Sequence, residues 1–476
     1  MKSGKSIAKN TAAMLLGTLI RMSASFVLVV FVARKLGSSG MGEFSLILSL
    51  FWIFQTIASM GIQPLLVREV AARPERTGDI LSNAGFLSVC ASLVMSACMI
   101  GFAVIAEYSQ TIQLALYWMS LTLILSTLSI VIQAIFIAWE KAELVMIGMT
   151  WESAVRLGAG IFILIKGMGL ISLAAVFAFS NFVSLFINLF LIRKHLGRFR
   201  FRILWKICKW LIRLVPTFAG ISIFNTVFWH VGTVLMSKLT TMEQVGIYSA
   251  SMRIVTVVKL VLQSYKVAIQ PVAVKTFQQS MEAFKAFCQK SLKYVFMLTF
   301  PICAGVLVLS EQLLVLVFGP EFLASANIFR IQVFILLSYG VTLVLASFLI
   351  ASQNQRIDLR VNCVSMVVNI VLGYVLISRF GILGGAVSLL ISIHLFTGQQ
   401  IFFMNRHLFH LHFLQEAAPI LTASVVMASL TWALSSIHVL INVFLSALAY
   451  LVLLFLFKSL NYKDIRDMIQ MRKAVR

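Results

Sequence analysis

The amino-acid sequence predicts an all-α protein that crosses a membrane many times. Of its 476 residues, 60% are hydrophobic and 12% are charged, and the mean hydropathy is +0.98. Soluble domains contain about 25% charged residues, so this composition excludes a soluble protein. The apolar runs are long and unbroken, as helical spans of about 20 residues require, whereas transmembrane strands would give alternating segments of about 10.

The apolar runs predict about fourteen transmembrane helices. The connections between them are too short for a soluble domain, and the longest, 193–210 and 270–289, are polar and basic. We do not expect the first run to be a cleavable signal peptide, because it is too long and carries Arg21 in its middle. The predicted spans are 11–33, 43–64, 81–105, 111–138, 145–165, 170–192, 211–236, 246–269, 290–309, 326–351, 359–378, 383–404, 418–438 and 440–457.

The distribution of Lys and Arg predicts that both termini are cytoplasmic. When alternate connections are counted from a cytoplasmic N-terminus, 29 of the 39 basic residues lie on the side of the termini. Five lie on the opposite side, and five lie within or at the edge of the spans. Cytoplasmic connections carry such an excess. Most of the net charge of +23 would then face anionic lipid headgroups, and we expect no nucleic-acid partner.

One basic connection has the pattern of an amphipathic helix. In FRFRILWKICKWLIR, basic residues recur at helical spacing and tryptophan and aliphatic residues fill the positions between them. This pattern predicts a helix over 199–213 that lies in the headgroup plane before span 7. Two roles are open: the helix anchors span 7, or it contacts a lipid-linked substrate.

We expect neither cofactor nor metal. Six cysteines are scattered without CxxC or Cys/His spacing, which predicts neither a disulfide framework nor a metal site. The sequence contains no GxxxxGK[ST] phosphate-binding loop, so we do not expect it to hydrolyse nucleotide. Coupling to H+, to Na+ or to the membrane potential remains open.

Three landmarks of the first half return in the same order in the second half. KLGSSGMGEFS (35–45) is similar to KLTTMEQVGIYS (238–249), FIAWEKAEL (136–144) to LIASQNQRIDL (349–359), and GMGLISLAAV (167–176) to RFGILGGAVS (379–388). Six spans separate the copies, so the two halves have the same orientation in the membrane. The repeat predicts an N-terminal six-helix lobe (1–198), the linker helix (199–213), a C-terminal six-helix lobe (211–410), and an extra helix pair with a basic cytoplasmic tail (411–476).

These landmarks, with VARKLGSSGMGEFSLILSL, LVREVAARPERTGDILSNA, VGIYSASMRI and LLVLVFGPEFLASANI, resemble the polysaccharide-transport branch of the multidrug/oligosaccharidyl-lipid/polysaccharide exporter superfamily. The resemblance covers nearly the whole chain and implies a Wzx-type flippase. Such a protein moves undecaprenyl-pyrophosphate-linked oligosaccharide units, of O-antigen or another surface polysaccharide, to the outer leaflet of a bacterial inner membrane. The resemblance also implies two six-helix bundles around a cationic cavity, and two further helices.

Charged residues inside apolar spans are the candidate substrate-binding residues. A charge at mid-bilayer costs about 2.5–3.5 kcal/mol on insertion scales, so such side chains face a protein interior or a water-filled path. Basic residues outnumber acids there, and Glu152 is the one acid expected to be buried with them, which favours an anionic ligand. The candidates for a cationic cavity are Arg21, Arg156, Arg253, Lys259 and Arg330.

Each of these residues also has a structural interpretation. Arg21 lines the cavity or pairs within the first lobe. Glu152 and Arg156 have the i, i+4 spacing of an ion pair, which would neutralise both. Arg253 and Lys259 lie centrally in span 8 but point about 120° apart, so they flank a wide cavity rather than share one phosphate. Arg330, near the outer end of span 10, can extend to the surface.

Three titratable residues are candidates for coupling: Glu152, His230 in span 7 and His394 in span 12. A lone histidine in a helical bundle also serves as a hydrogen-bonded packing residue. Members of the resembled family often carry an aromatic-Arg-x-Asp element in span 7, where this chain reads FWHVGTVLM. An acid-dependent role at this position is therefore not expected.

Three functions fit a protein of this kind. The first is a flippase that works by alternating access, without catalysis, as a monomeric transport unit that contacts the bilayer and the polysaccharide polymerase machinery. The second is a multidrug exporter of the same superfamily, which would be expected to carry unpaired acids. The third is a polymerase or ligase acting on lipid-linked sugars, which would favour a large outward loop with catalytic residues. The predicted outward connections are short.

Overall fold

A computed structural model describes residues 4–196, 202–411, 414–457 and 459–460. Every regular element in these residues is helical, and eleven of the helices are long and apolar enough to cross a membrane. The all-α membrane fold is thus confirmed, whereas the number of fourteen spans and the cytoplasmic termini remain predictions. Residues 199–201 of the predicted linker helix and most of the basic tail lie outside the described residues.

The α-helices of the described residues are α1 Gly4–Ser59, α2 Ile62–Ala72, α3 Thr77–Ile105, α4 Gln110–Ala138, α5 Ala142–Ile165, α6 Gly169–Leu196, α7 Trp205–Leu239, α8 Met242–Gln279, α9 Met281–Phe318, α10 Ser325–Gln332, α11 Ile335–Ala351, α12 Gln355–His407, α13 Leu414–Ala433 and α14 Val439–Leu456. Single 3-10 turns, Pro74–Arg76 and Pro320–Phe322, precede α3 and α10.

Two helices are more than twice as long as the span of about 20 residues that a bilayer requires. Helix α1 contains 56 residues and α12 contains 53, and each is broken at one glycine. Gly37 has φ 69° and ψ −169°, and Gly381 has φ 57° and ψ −136°. Only glycine adopts such a backbone without strain. Both breaks fall in connections that the sequence predicts, 34–42 and 379–382.

The internal repeat is also a repeat of backbone conformation. Glu140, after α4, and Gln353, after α11, have φ angles of 57° and 61°. Their backbone N–H groups donate to the carbonyls of Ile137 and Ile350, at 2.9 and 3.1 Å. The residue that follows in each turn makes a matching bond: Lys141 N donates to Phe136 O, and Asn354 N donates to Leu349 O. The landmarks FIAWEKAEL and LIASQNQRIDL therefore form the same turn.

The structure differs from the sequence prediction at the basic connection 270–289. Helix α8 continues to Gln279 and α9 begins at Met281, so Ser280 alone separates them. The Ser280 hydroxyl accepts a hydrogen bond from the backbone N–H of Ala283 at 3.1 Å and so caps α9. The connection is thus helical on both sides of Ser280, because polar composition does not end a helix that continues beyond the apolar run.

The helices form two compact units: α1 to α7 (unit 1) and α8 to α14 (unit 2). Helix α7 has polar contacts along its length with other residues of unit 1. These are Thr226 Oγ1 with Thr56 Oγ1 at 3.1 Å, His230 Nδ1 with Ser49 Oγ at 3.3 Å, and Ser237 Oγ with Tyr108 OH at 2.8 Å. Burial raises the pKa of the Tyr108 hydroxyl. The sequence repeat instead assigns α7 to the second lobe. The lobe boundaries taken from the repeat therefore remain a prediction.

The beginning of α7 also differs from the separate interfacial helix predicted for 199–213. Residues 202–204 are not helical, and one helix runs from Trp205 to Leu239. The side chain of Asn83 on α3 holds this beginning, because its Oδ1 accepts from Leu204 N at 2.7 Å and its Nδ2 donates to Arg202 O at 3.1 Å. Leu211 is fully buried in the core of unit 1. The segment packs on unit 1 because this core covers its apolar face.

Candidate functional site

In unit 1, the sequence candidates Arg156 and Glu152 form an ion pair. They lie one turn apart on α5, and Arg156 Nη2 contacts Glu152 Oε1. Two residues of α6 hold the same guanidinium: Arg156 Nε donates to Ser180 Oγ at 3.3 Å, and the ring centroid of Phe177 lies 4.4 Å from its central carbon. The Glu152 carboxylate, the Ser180 hydroxyl and the Phe177 ring all contact this one guanidinium, and together they fix the position of Arg156.

Arg21 on α1 joins this pair to give a group of two cations and one acid. Helix α1 packs along α5, and Arg21 is within electrostatic range of both Glu152 and Arg156. Among the described residues, no side chain forms a hydrogen bond or ion pair with Arg21. Glu152 can neutralise only one of the two guanidinium groups. The group therefore carries one excess positive charge inside an apolar segment, at Arg21.

In unit 2, Lys259 is buried against an aromatic ring. Its side chain is 7% exposed, and its ammonium lies 4.8 Å from the ring centroid of Tyr339 on α11. The Tyr339 hydroxyl accepts a hydrogen bond from Gln263 Nε2 at 2.7 Å, which fixes the ring. A cation over an aromatic face is stabilised by about 2 kcal/mol when both groups are desolvated. Lys259 is therefore placed by contacts within unit 2.

Arg253, on the same helix, does not share these contacts. Arg253 and Lys259 are six positions apart, which turns the helix by about 600°, so their side chains leave the axis about 120° apart. Arg253 is partly exposed, whereas Val255 and Leu262 lie on the buried face with Lys259. Within the described part of the chain, no acceptor binds the Arg253 guanidinium. It is the candidate cation of unit 2 that retains its hydrogen-bonding capacity for a ligand.

Arg330 lies in an exposed polar group at the junction of α9 and α10. Its Nη2 donates to Glu311 Oε1 at 2.8 Å, and its Nη1 donates to Asn327 Oδ1 at 3.0 Å. Exposed ion pairs of this kind contribute about 0–1 kcal/mol. This placement favours a surface role for Arg330 over a substrate contact.

The two histidines have different surroundings. His230 on α7 is partly buried beside Ser49, as described above. His394 on α12 is exposed, and its Nδ1 lies 2.8 Å from the carbonyl oxygen of Leu390 on its own helix. His230 is thus the histidine that the fold brings into contact with another helix of its unit.

Outside the predicted spans two further acids, Asp358 and Glu69, are buried within the protein, with 6% and 8% exposure. Asp358 lies in the first turn of α12, where Gln400 Nε2 donates to its Oδ1 at 3.2 Å and Lys266 is its cationic neighbour. Glu69 pairs with Arg68, whose Nη2 is 2.7 Å from Oε1. Asp358 was missed because the sequence placed it in a connection, although an acid in the first helical turn is a signal of a helix start.

Comparisons with known proteins agree with this fold. The sequence profile of the family described as "Polysaccharide biosynthesis protein" matches residues 7–277, and the profile described as "MatE" matches residues 218–375. The chain is similar to a protein of Haloferax volcanii named "Probable low-salt glycan biosynthesis flippase", with 22% identity over 98% of this chain and 99% of that protein. It is also similar to a "Putative O-antigen transporter" of Shigella flexneri, with 23% identity over 80% of this chain and 94% of that protein.

Solved structures show the same architecture. The inward closed conformation of the lipid II flippase MurJ superposes with a TM-score of 0.79 at 15% identity, over 96% of this chain and 99% of that chain. An inward-facing multidrug transporter of the MATE family gives 0.67 at 13% identity, over 84% and 98%. These likenesses concern the fold. With the family profile matching more than half of the sequence, the chain belongs to the polysaccharide biosynthesis protein family, in the polysaccharide-transport branch of the multidrug/oligosaccharidyl-lipid/polysaccharide exporter superfamily.

Proposed function

We propose that this chain is a flippase for lipid-linked glycans, and that its substrate is an oligosaccharide unit of O-antigen or another surface polysaccharide carried on undecaprenyl pyrophosphate. It would move this unit from the cytoplasmic to the outer leaflet of a bacterial inner membrane. The observation that carries the proposal is the excess of positive charge inside both units, at Arg21 and at Arg253. The names of the two relatives, a glycan flippase and an O-antigen transporter, support the same substrate class.

In this proposal the pyrophosphate is the part of the substrate that the cations bind. Arginine offers several N–H donors in a fixed plane, which suits phosphate oxygens. Glu152 holds Arg156 in place and leaves the charge of Arg21 for the ligand, while Arg253 supplies the charge of unit 2. The two lobes would alternate in access, the sugars would travel through a polar path, and the prenyl chain would stay in the bilayer.

Coupling to H+, Na+ or the membrane potential is part of the proposal through Glu152 and His230. His394 contributes less to this proposal, because it lies on the exposed side of α12 with its own backbone as neighbour. Asp358 joins the candidates, since its carboxylate is buried and accepts a hydrogen bond from Gln400 Nε2.

Multidrug export is the second candidate function, favoured by the match of the MatE profile to residues 218–375. Organic cations require unpaired acids in the transport path. Among the described residues, Glu152 is paired with Arg156 and Glu311 with Arg330. The charge of the membrane-spanning helices thus supports an anionic substrate.

Replacement of Arg21, Arg253 and Lys259 singly by Ala and by Glu, in a strain that lacks the native gene, tests the proposal. We expect the Glu variants of Arg21 and Arg253 to abolish surface polysaccharide while they still insert in the membrane. Arg330→Glu is the matched control and should support a normal amount. Normal polysaccharide in folded Arg21→Glu and Arg253→Glu strains would reject the cationic path, and drug sensitivity in the same strains would favour multidrug export.

A further inference from the structure

Unit 1 contains an apolar groove between α3, α4 and α6. Its volume is about 340 Å³, at the lower end of the range of about 300–1,000 Å³ that is usual for pockets that bury a small ligand. Ser82 is the one polar residue among its walls, which are formed by side chains such as Leu81, Phe86, Leu128, Ile132, Leu189 and Ile192. The groove residues of α3 and α6 lie near one end of each helix. They are four to twelve residues, or about 6–18 Å along the axis, from the beginning of α3 or from the end of α6.

A cluster of basic residues lies at the ends of these helices. Arg193 and Lys194 directly follow Ile192 of the groove, and Arg202 and Lys206 lie at the beginning of α7; all four are exposed. Asn83 fixes the second pair close to the groove, because it lies one residue after Ser82 and bonds the backbone of Arg202 and Leu204. The ring of Trp205 also contacts Phe86 of the groove wall, with centroids 6.4 Å apart.

An apolar groove with several cations at one end favours a lipid with a particular number of hydrocarbon chains and negative charges. A groove of this size receives one hydrocarbon chain rather than the two or four chains of a phospholipid. Four exposed cations lie next to the helix ends at this end of the groove, and together they can compensate more negative charge than a single phosphodiester carries. One chain and two phosphates are the chemistry of a polyprenyl pyrophosphate. The basic end is, moreover, the one predicted to be cytoplasmic, where such a carrier would be loaded.

We propose that this groove is a loading site for the carrier lipid: the first isoprenoid units lie between α3, α4 and α6, and the pyrophosphate is bound by Arg202 and Lys206. This inference rests on the proposed function, and it assigns to the linker segment a direct contact with the substrate. It also gives a role to the basic positions Arg202 and Lys206, which stay exposed while Cys208 and Leu211 pack in unit 1.

Gly85 provides a clean test, because it lines the groove and an added Cβ there would meet no atom within 4 Å. Gly85→Trp should fill the groove without disturbing the helix. Gly101→Trp is the matched control, since Gly101 lies on the same helix, is not a wall residue of this groove and is equally open. Arg202→Gln with Lys206→Gln tests the mouth, with Arg406→Gln, an exposed arginine of α12, as the control.

The purified full-length chain in phosphatidylcholine nanodiscs is labelled with a benzophenone derivative of farnesyl pyrophosphate, and the labelled peptides are mapped by mass spectrometry. We expect labelling within 81–89 of α3, reduced about tenfold by Gly85→Trp and about fivefold for each neutralised cation, and unchanged in the controls. Unlabelled farnesyl pyrophosphate should compete with the probe, and phosphatidylglycerol should not. Melting temperatures establish that each variant is folded; if Gly85→Trp is not, Gly85→Leu replaces it.

Labelling that Gly85→Trp leaves unchanged, or that phosphatidylglycerol suppresses equally, would overturn the loading site. The proposed function is judged separately, by surface polysaccharide in the complemented strain. A wild-type chain that restores polysaccharide but is not labelled at α3 refutes the groove alone. Specific labelling of a chain that restores no polysaccharide supports the groove and rejects the flippase proposal.

Discussion

Units 1 and 2 both hold cations within apolar helices, but they stabilise them in different ways. In unit 1, Arg156 is neutralised by Glu152 and held by Ser180 and Phe177, and Arg21 shares the same acid at longer range. In unit 2, Lys259 lies over the Tyr339 ring, and Arg253 faces a different direction on the same helix. Each unit therefore has one cation whose position is fixed by its neighbours and one, Arg21 or Arg253, to which no described side chain is bonded by a hydrogen bond or ion pair.

This comparison teaches that buried charge alone does not identify a binding residue. Taking a cation out of water is costly, and a protein offsets the cost with an acid, an aromatic face or a ligand. Arg156 and Lys259 have the first two kinds of compensation. Arg21 and Arg253 are the residues for which an anionic ligand would supply what is missing.

The largest expected effect on stability comes from removal of the shared acid in unit 1. Glu152→Gln leaves Arg21 and Arg156 without their shared counter-charge. Loss of one partner of a fully buried pair costs about 3–5 kcal/mol, which is an upper bound for this pair because its side chains are 17% and 16% exposed. Thermal unfolding in detergent should show a large decrease in melting temperature, and the double variant Glu152→Gln with Arg156→Gln should recover much of it. A Glu152→Gln protein as stable as the wild type would show that the pair carries no structural role.

A smaller effect is expected in unit 2, where an aromatic face compensates Lys259. Tyr339→Leu removes the cation–π contact, worth about 2 kcal/mol for desolvated groups, and the hydrogen bond from Gln263. Tyr339→Phe should lose only the hydrogen bond, about 1 kcal/mol. Equal melting temperatures for the two variants would mean that the ring face does not stabilise Lys259.

Arg253→Gln should change stability less than either substitution above, because no described neighbour loses a partner. Its effect should instead appear in function, as reduced surface polysaccharide in the complemented strain at normal protein abundance. An Arg253→Gln protein that is much less stable than the wild type, but that transports normally in its folded fraction, would give Arg253 a structural role instead of a ligand contact.

The smallest effect is expected at the exposed pair of Arg330 and Glu311. Glu311→Gln and Arg330→Gln should each change the free energy of unfolding by about 0–1 kcal/mol, as exposed ion pairs do, and the change should shrink at high salt. Polysaccharide export should be unaffected. A loss of export in folded Arg330→Gln cells would place this residue in the substrate path.

The sequence predicted the helical class and the internal repeat, and it offered the pairing of Glu152 with Arg156 as one of two interpretations, because hydropathy and i, i+4 spacing are local properties. It did not predict the breaks within α1 and α12 as kinks of continuous helices, nor that α8 and α9 extend through 270–289 up to Ser280 on either side. The Tyr339 ring below Lys259 and the anchoring of α7 by Asn83 depend on residues 80 to 121 positions apart in the chain. Such contacts leave no periodic signal in one sequence.

The central claim, that Arg21 and Arg253 bind the pyrophosphate of the substrate, is tested most directly by ligand affinity. The dissociation constants of undecaprenyl pyrophosphate and undecaprenyl monophosphate are measured for the purified wild type, Arg21→Gln, Arg253→Gln and Arg330→Gln. We predict that the wild type prefers the pyrophosphate, and that Arg21→Gln and Arg253→Gln each reduce this preference by about tenfold while Arg330→Gln retains it. The same preference in all four proteins would contradict the account.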